Sequence, residues 1–259
     1  MIDFLGIGAQ KAATTWLCKN LGVHPHICFP AGKEIHFWDH QYPAKGVEHW
    51  LNLFPANAEP IKQGEITPAY GTLSLGKIQQ IFAVAPNLRL FYSIRNPIER
   101  AWSSAQMALR RAEMLEHEAS DQWFIDHFLS KGSRSRSDYL GTIARWTGVF
   151  PSHSLLLIFY DDIFTNPKQV LKHVSEHIGV DSGFWNTRSE ETLKLIIRPS
   201  LGVPFSYPPN QAASIVSSIR SSLRAFLIDL YRSDIEKMSN YFQRDLSHWL
   251  QESNAKTSV

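Results

Sequence analysis

The sequence predicts an α/β protein whose central parallel sheet is covered on both faces by helices. Three observations carry that prediction. Continuously apolar runs near 4–8, 88–94 and 154–160 lack the alternation of half-exposed strands, which is how strands buried on both faces read. Each run is followed by amphipathic helical spacing, and helices alternating with buried strands imply parallel crossovers. The punctuation suits strand-to-helix turns, with Gly6 and Gly8 in the first and Pro97 after the second.

Taken in order, "FLGIG" (4–8) is a buried strand and "TTWLCKNL" (14–21) a helix on which Thr14, Leu17, Cys18 and Leu21 share a face. Gly22 sits where a C-cap belongs, Pro25 lies just beyond, and Cys18 is expected in the core. "HICF" is a short strand-like segment leading into "KEIHFWD" (33–39), where an extended chain would put Glu34 and His36 on one face. After the strand at 88–94, Ile98, Ala101, Trp102, Ala105 and Leu109 define a helix over 97–111. "SKGSRSRSD" (130–138) reads as a loop, "SLLLIFY" (154–160) as a third strand, and the chain is then helical to about 178. From about 211 it is helical again toward "DLSHWL". Without repeats, low-complexity tracts or a linker, one domain over 1–259 is expected, with 254–259 as a frayed tail.

Composition narrows the function. A formal net charge of +2 is too small for a nucleic-acid surface, so anion binding must come from a local cluster. No apolar run reaches the roughly 20 residues of a membrane span, and the N-terminus enters a strand without the pattern of a signal peptide. Cys18 and Cys28 make neither a disulfide framework nor zinc spacing. The expectation is a cytoplasmic protein with reduced thiols and no metal.

The chemistry concentrates at the end of the first strand. In open α/β sheets, ligands sit beyond the carboxyl ends of the strands. There, glycines let backbone N–H groups approach an anion, and a helix N-terminus adds partial positive charge. Lys11 adds a full charge and Thr14 and Thr15 add hydroxyls, which makes a phosphate-type site; a plain turn with a solvated lysine is the alternative. The Walker A pattern, GxxxxGK followed by Ser or Thr, does not fit, because Ala12 and Ala13 follow Lys11. Nor does the second strand end on a magnesium-holding Asp; it ends on Arg95.

"GAQKAATTWL" resembles the phosphosulfate-binding loop of sulfotransferases that use 3′-phosphoadenosine 5′-phosphosulfate (PAPS), and "SIRNPIERAWSS" resembles their 3′-phosphate signature. "KEIHFWD" and "GEITPAY" (64–70) are similar to the branch of heparan sulfate sulfotransferases, and "RDLSHWL" (244–250) to the end of bacterial members. The resemblance implies a P-loop-like three-layer fold and, as cosubstrate, PAPS, giving adenosine 3′,5′-bisphosphate without a metal. It implies that Lys11, Ala12, Ala13, Thr14, Thr15 and Trp16 bind the phosphosulfate, and Arg95 and Ser103 the 3′-phosphate. Glu34 would be the catalytic base, Lys11 would stabilise the leaving phosphate, and His36 would assist. Asp39, Tyr70 and Tyr139 would meet a small-molecule, lipid-linked or saccharide acceptor, which takes the sulfuryl group on a hydroxyl or, as the second choice, an amine. For His36 a core histidine is the alternative, for Asp39 a turn or helix cap, and for the tyrosines buried residues with paired hydroxyls.

Three departures stand out. Ala13 occupies a position usually Gly, tolerable unless φ is positive. Ile66 stands where heparan-type members often carry Lys, which argues against a polyanionic acceptor. The 198–209 loop has Arg198 and aromatics in place of a Lys-Gly-Arg run. A P-loop-type kinase and an inactive nucleotide-binding module are the competing functions.

Overall fold

The computed structural model describes residues 1–56, 60–197, 204–206 and 219–251. The loop at 198–209 (204–206 apart), the start of the last helix near 211 and the tail at 254–259 lie outside the described residues. In chain order the elements are β1 (Phe4–Gly8), α1 (Thr14–Leu21), β2 (Ile27–Cys28), α2 (Gly46–Leu51), β3 (Lys62–Ile66), α3 (Leu75–Val84), β4 (Arg89–Ile94) and α4 (Pro97–Arg111). They continue with α5 (Asp121–Leu129), α6 (Lys131–Ser137), α7 (Tyr139–Thr147), β5 (Leu155–Phe159), α8 (Tyr160–Thr165) and α9 (Pro167–Ile178). Last come α10 (Glu190–Lys194), β6 (Leu195–Ile197), β7 (Pro204–Ser206) and α11 (Ser221–Phe242). They divide between two units, Met1–Ile94 with Gly141–Ser206, and Arg95–Leu140 with Tyr207–Val259.

The first unit holds a parallel sheet flanked by helices, with strand order β2-β3-β1-β4-β5. On one face Phe4, Ile66, Phe91 and Ile158 meet Trp16, Leu17 and Leu21 of α1 and Val170, Leu171, Val174 and Ile178 of α9. The α1 face is thus as its spacing predicts, with Cys18 packed against the cluster. Both cysteines are free thiols. Strand β3 has no counterpart in the apolar runs. Its sequence KQGEI buries Gln63 and Glu65; Gln63 Nε2 donates to the Pro55 carbonyl at 2.6 Å, and the Glu65 carboxylate accepts from neighbouring side chains. Gly64 is required by close approach, since a Cβ there would lie 2.4 Å from the Phe4 carbonyl oxygen. Strands β6 and β7 form a separate antiparallel pair.

In the second unit α4 runs as predicted, its N-cap Asn96 accepting from the Ile98 N–H at 3.0 Å. The expected loop at 130–138 is instead helical. Ser130 Oγ caps α6 by accepting from the Ser133 N–H at 3.2 Å. The fully buried Arg100 donates from Nε to Ser137 Oγ at 2.6 Å and from Nη2 to Ser133 O and Oγ at 3.0 Å. Small serines let α6 approach α4 closely enough to accept from Nε and Nη2 of that guanidinium, and the same serines are what made the segment look like loop. Helix α11 buries Leu223, Leu227, Tyr231, Ile235 and Met238.

Candidate active site

Strand β1 leaves the sheet through Gly8, whose φ of +139° only glycine adopts readily. The Ala9 N–H then bonds to the Ser93 carbonyl of β4 at 3.0 Å, tying the loop to that strand, and the Ala12 N–H bonds to the Ala9 carbonyl at 3.2 Å, folding the loop back on itself. Lys11 and Ala13 both lie in the left-handed region, at φ 71° and 63°. The condition attached to Ala13 in the sequence is therefore the unfavourable one: its methyl sits where glycine is at ease, at a cost of about 1–2 kcal/mol. Ala13 is also the N-cap of α1, and it offers no side-chain acceptor to the first-turn N–H groups. Those donors and the dipole behind them are left for an anion. Ala12 and Thr14 are buried, and Lys11 and Thr15 half-buried. Trp16 is committed to the core, its indole N–H donating to the Leu193 carbonyl at 2.6 Å. Only its backbone remains to meet a ligand.

A second arm of this unit begins after β2. It is not extended, as the alternation of Glu34 and His36 had implied, because both residues are left-handed, at φ 61° and 55°. The side chains still converge, with His36 Nε2 3.8 Å from Glu34 Oε2. Lys33 pairs with the Glu34 carboxylate. On its other side His36 Nδ1 lies 2.7 Å from Asp39 Oδ2, and His40 Nε2 is 3.4 Å from the same oxygen. An N–H at Nδ1 donating to Asp39 leaves Nε2 aimed toward Glu34, so His36 is an oriented, partly exposed imidazole and Asp39 its partner. The His36, Asp39 and His40 donor atoms lie within 4.8 Å of one another, a spacing that a metal ion could use, although the His36–Asp39 bond already accounts for it.

Beneath this arm lies a group that the sequence did not single out. Glu65 sits on the opposite face of β3 from Gly64, fully buried. It accepts from Trp50 Nε1 at 2.8 Å, Thr67 Oγ1 at 2.8 Å and the Tyr70 hydroxyl at 3.2 Å. Burial pushes its carboxyl up to about 7; its three donors pull the other way, and the Asp39 charge adds to the rise. The Tyr70 hydroxyl in turn accepts the Phe37 N–H at 3.1 Å and the Trp38 N–H at 3.4 Å. Its phenol is pushed well up, by burial first and Glu65 second. Further ties are the Glu34 N–H to the Ile66 carbonyl at 3.0 Å and Lys77 Nζ to the Trp38 carbonyl at 2.6 Å. The available signal for Glu65 was a lone acid between Gly64 and Ile66 in "GEITPAY".

In the second unit Arg95 follows β4, nearly buried, and donates from Nε and Nη2 to Glu99 Oε2 at 3.3 and 3.1 Å. Ser103 lies half-buried two turns into α4. The Arg95 N–H donates to the Tyr139 hydroxyl at 3.4 Å. Burial pushes the Tyr139 phenol up to about 12. Tyr70 and Tyr139 therefore answer to the buried alternative, with hydroxyls spent inside the protein and no surface for an acceptor.

The chain matches the sulfotransferase domain family over residues 2–254. It is 24% identical over 282 residues to bifunctional heparan sulfate N-deacetylase/N-sulfotransferase 3 of Mus musculus, covering 96% of this chain and 31% of the relative. It is 26% identical over 180 residues to heparan sulfate glucosamine 3-O-sulfotransferase 3B1 of Homo sapiens, covering 67% of this chain and 45% of the relative. The chain thus spans less than half the length of either curated relative. A solved sulfotransferase from Alicyclobacillus acidocaldarius shares the fold at a TM-score of 0.70 and 21% identity, covering 97% of this chain and 99% of the other.

Proposed function

This chain belongs to the sulfotransferase domain family, whose enzymes draw on PAPS, and on that premise we propose that it moves the sulfuryl group of PAPS to an acceptor hydroxyl. The observation that carries the reading is the entry to α1: a lysine-bearing loop with two left-handed residues, opening a helix that has no side-chain cap. Backbone donors and a full positive charge together suit a phosphosulfate.

In this reading the first-turn N–H groups, Thr14 and Thr15 bind the phosphosulfate. Lys11 neutralises charge on the departing phosphate oxygen as the sulfur–oxygen bond breaks. Glu34 takes the acceptor's proton as the new oxygen–sulfur bond forms, and the His36–Asp39 pair keeps the acceptor oriented beside it. Lys33 must release the Glu34 carboxylate for that step. In the second unit, Arg95 and Ser103 are the residues proposed for the ribose 3′-phosphate, a guanidinium being suited to bidentate phosphate binding.

The acceptor proposed is a hydroxylated small molecule, lipid-linked intermediate or saccharide that is not a polyanion. Ile66 supports this, because it packs in the core with Phe4 and Phe91 where a lysine would have brought charge. Among the described residues no helix is long and apolar enough to cross a membrane.

Transfer of labelled sulfate from PAPS to a metabolite panel tests the reading. Glu34→Gln should lower turnover about 100- to 10,000-fold while leaving adenosine 3′,5′-bisphosphate binding intact. Unchanged turnover would move the base to His36. Binding of ATP with magnesium in preference to PAPS would replace the reading with a kinase.

A further inference from the structure

We propose that Glu65 is a positioning residue for the acceptor-side arm: through Tyr70, its ionised carboxylate holds the Phe37–Trp38 peptide, and with it His36 and Asp39, and protonation loosens that hold. The inference rests on the sulfuryl-transfer reading for its kinetic readout alone.

The hydrogen-bond inventory gives the direction. All three side chains on Glu65, the Trp50 indole, the Thr67 hydroxyl and the Tyr70 hydroxyl, are donors to it. An ionised carboxylate is acceptor-only and satisfies the three together. Tyr70 then spends its one proton on Glu65, so its oxygen faces the Phe37 and Trp38 N–H groups purely as acceptor. A donor that is bonded to a charge also polarises its own oxygen and strengthens what it accepts. A protonated Glu65 must itself donate, and the oxygens in reach are those of Thr67 and Tyr70. One of those hydroxyls has to turn, and a Tyr70 proton turned from Glu65 would confront the arm's own N–H groups.

The surroundings make this carboxylate a titrating one. Trp50 of α2, Thr67 and Tyr70 bring no charge to it, and the charge felt from the arm is that of Asp39, which disfavours ionisation. Burial acts in the same sense. A change in the Asp39 environment when an acceptor binds would therefore reach Glu65, and a change at Glu65 would reach the arm through Tyr70.

Hydrogen exchange of the Phe37 and Trp38 amides in the full chain, corrected for intrinsic rates, is the test and needs no substrate. Protection should rise about tenfold between about pH 6 and pH 8, the effect of one hydrogen bond to a charged group. It should be low and flat in Glu65→Gln and in Tyr70→Phe. Flat wild-type protection, or unchanged protection in a folded Glu65→Gln variant, would overturn the inference. The kinetic arm is a fall in kcat below about pH 7, with unchanged affinity for adenosine 3′,5′-bisphosphate. Absence of any transfer would count against the enzymatic reading and leave the exchange result to decide this one.

Discussion

The loop at residues 8–15 and the arm at 33–41 are two strained segments of one unit, each with two non-glycine residues at positive φ. They are held in different ways. The loop is fixed by backbone groups, the Ala9 N–H on the Ser93 carbonyl of β4 and the Ala12 N–H on the Ala9 carbonyl, with small side chains packed beneath. The arm has backbone bonds of its own, His40 to His36 and Tyr42 to Phe37, and adds side chains reaching in from elsewhere, Tyr70 on its N–H groups and Lys77 on the Trp38 carbonyl. A segment held by backbone groups keeps its shape when a functional side chain is lost; a segment braced by side chains depends on which residues stand opposite it.

The sharpest way to break that contrast is Lys11→Ala. Turnover should fall about 1,000-fold, as when a transition-state charge loses its partner, while the thermal midpoint should move little, because the backbone bonds of Ala9 and Ala12 that hold the loop stay in place. A large drop in the midpoint would mean that the loop depends on its side chains as the arm does.

The pH dependence of stability sharpens the other half. Glu65 is held at about 7 in the folded state against 4.5 for the free group, so the folded chain binds its proton more tightly. Its contribution is fully present below the unfolded value and is lost as pH rises through the folded one. The loss is about 3 kcal/mol between about pH 4.5 and pH 7.5. Denaturant melts of wild type and Glu65→Gln at both ends of that range should differ by roughly that amount. Parallel curves would show that the buried carboxylate does not titrate there.

Ala13→Gly is the smallest effect expected. Removing a methyl from a left-handed position relieves strain, partly offset by the greater freedom of glycine in the unfolded chain, for a net gain of about 0.5–1 kcal/mol. A loss on chemical denaturation would mean that packing under the loop needs the methyl.

The same contrast explains what could be read from the sequence. Strand β1, helix α1, helix α4 and the lysine-bearing turn were legible because the signal is local: apolar continuity, helical spacing, glycine and proline in their usual places. Strand β3 was not, because Gln63, Gly64 and Glu65 belong inside only by virtue of Pro55, Phe4, Trp50, Thr67 and Tyr70. Helix α6 was missed for a related reason, since its serines answer to a buried arginine more than thirty residues earlier. Lys11 and Glu34 could be singled out from resembling motifs, but the role of Tyr70 required seeing what its hydroxyl touches.

Arg100 behaves differently from Glu65 as pH changes. Its described partners are two serine hydroxyls and a carbonyl, none of which titrates near neutrality, and a guanidinium stays charged throughout the range in which proteins fold. The Arg100 charge at the junction of α4 with α6 therefore stays the same in mild acid and mild base. A group near it that does titrate is the His127 imidazole of α5, whose pKa is lowered by burial first and by the Arg100 and Arg136 charges next. Acidification that reaches the carboxylate under the Glu34 arm leaves the bonds of Arg100 to Ser133 and Ser137 with no proton to gain or lose.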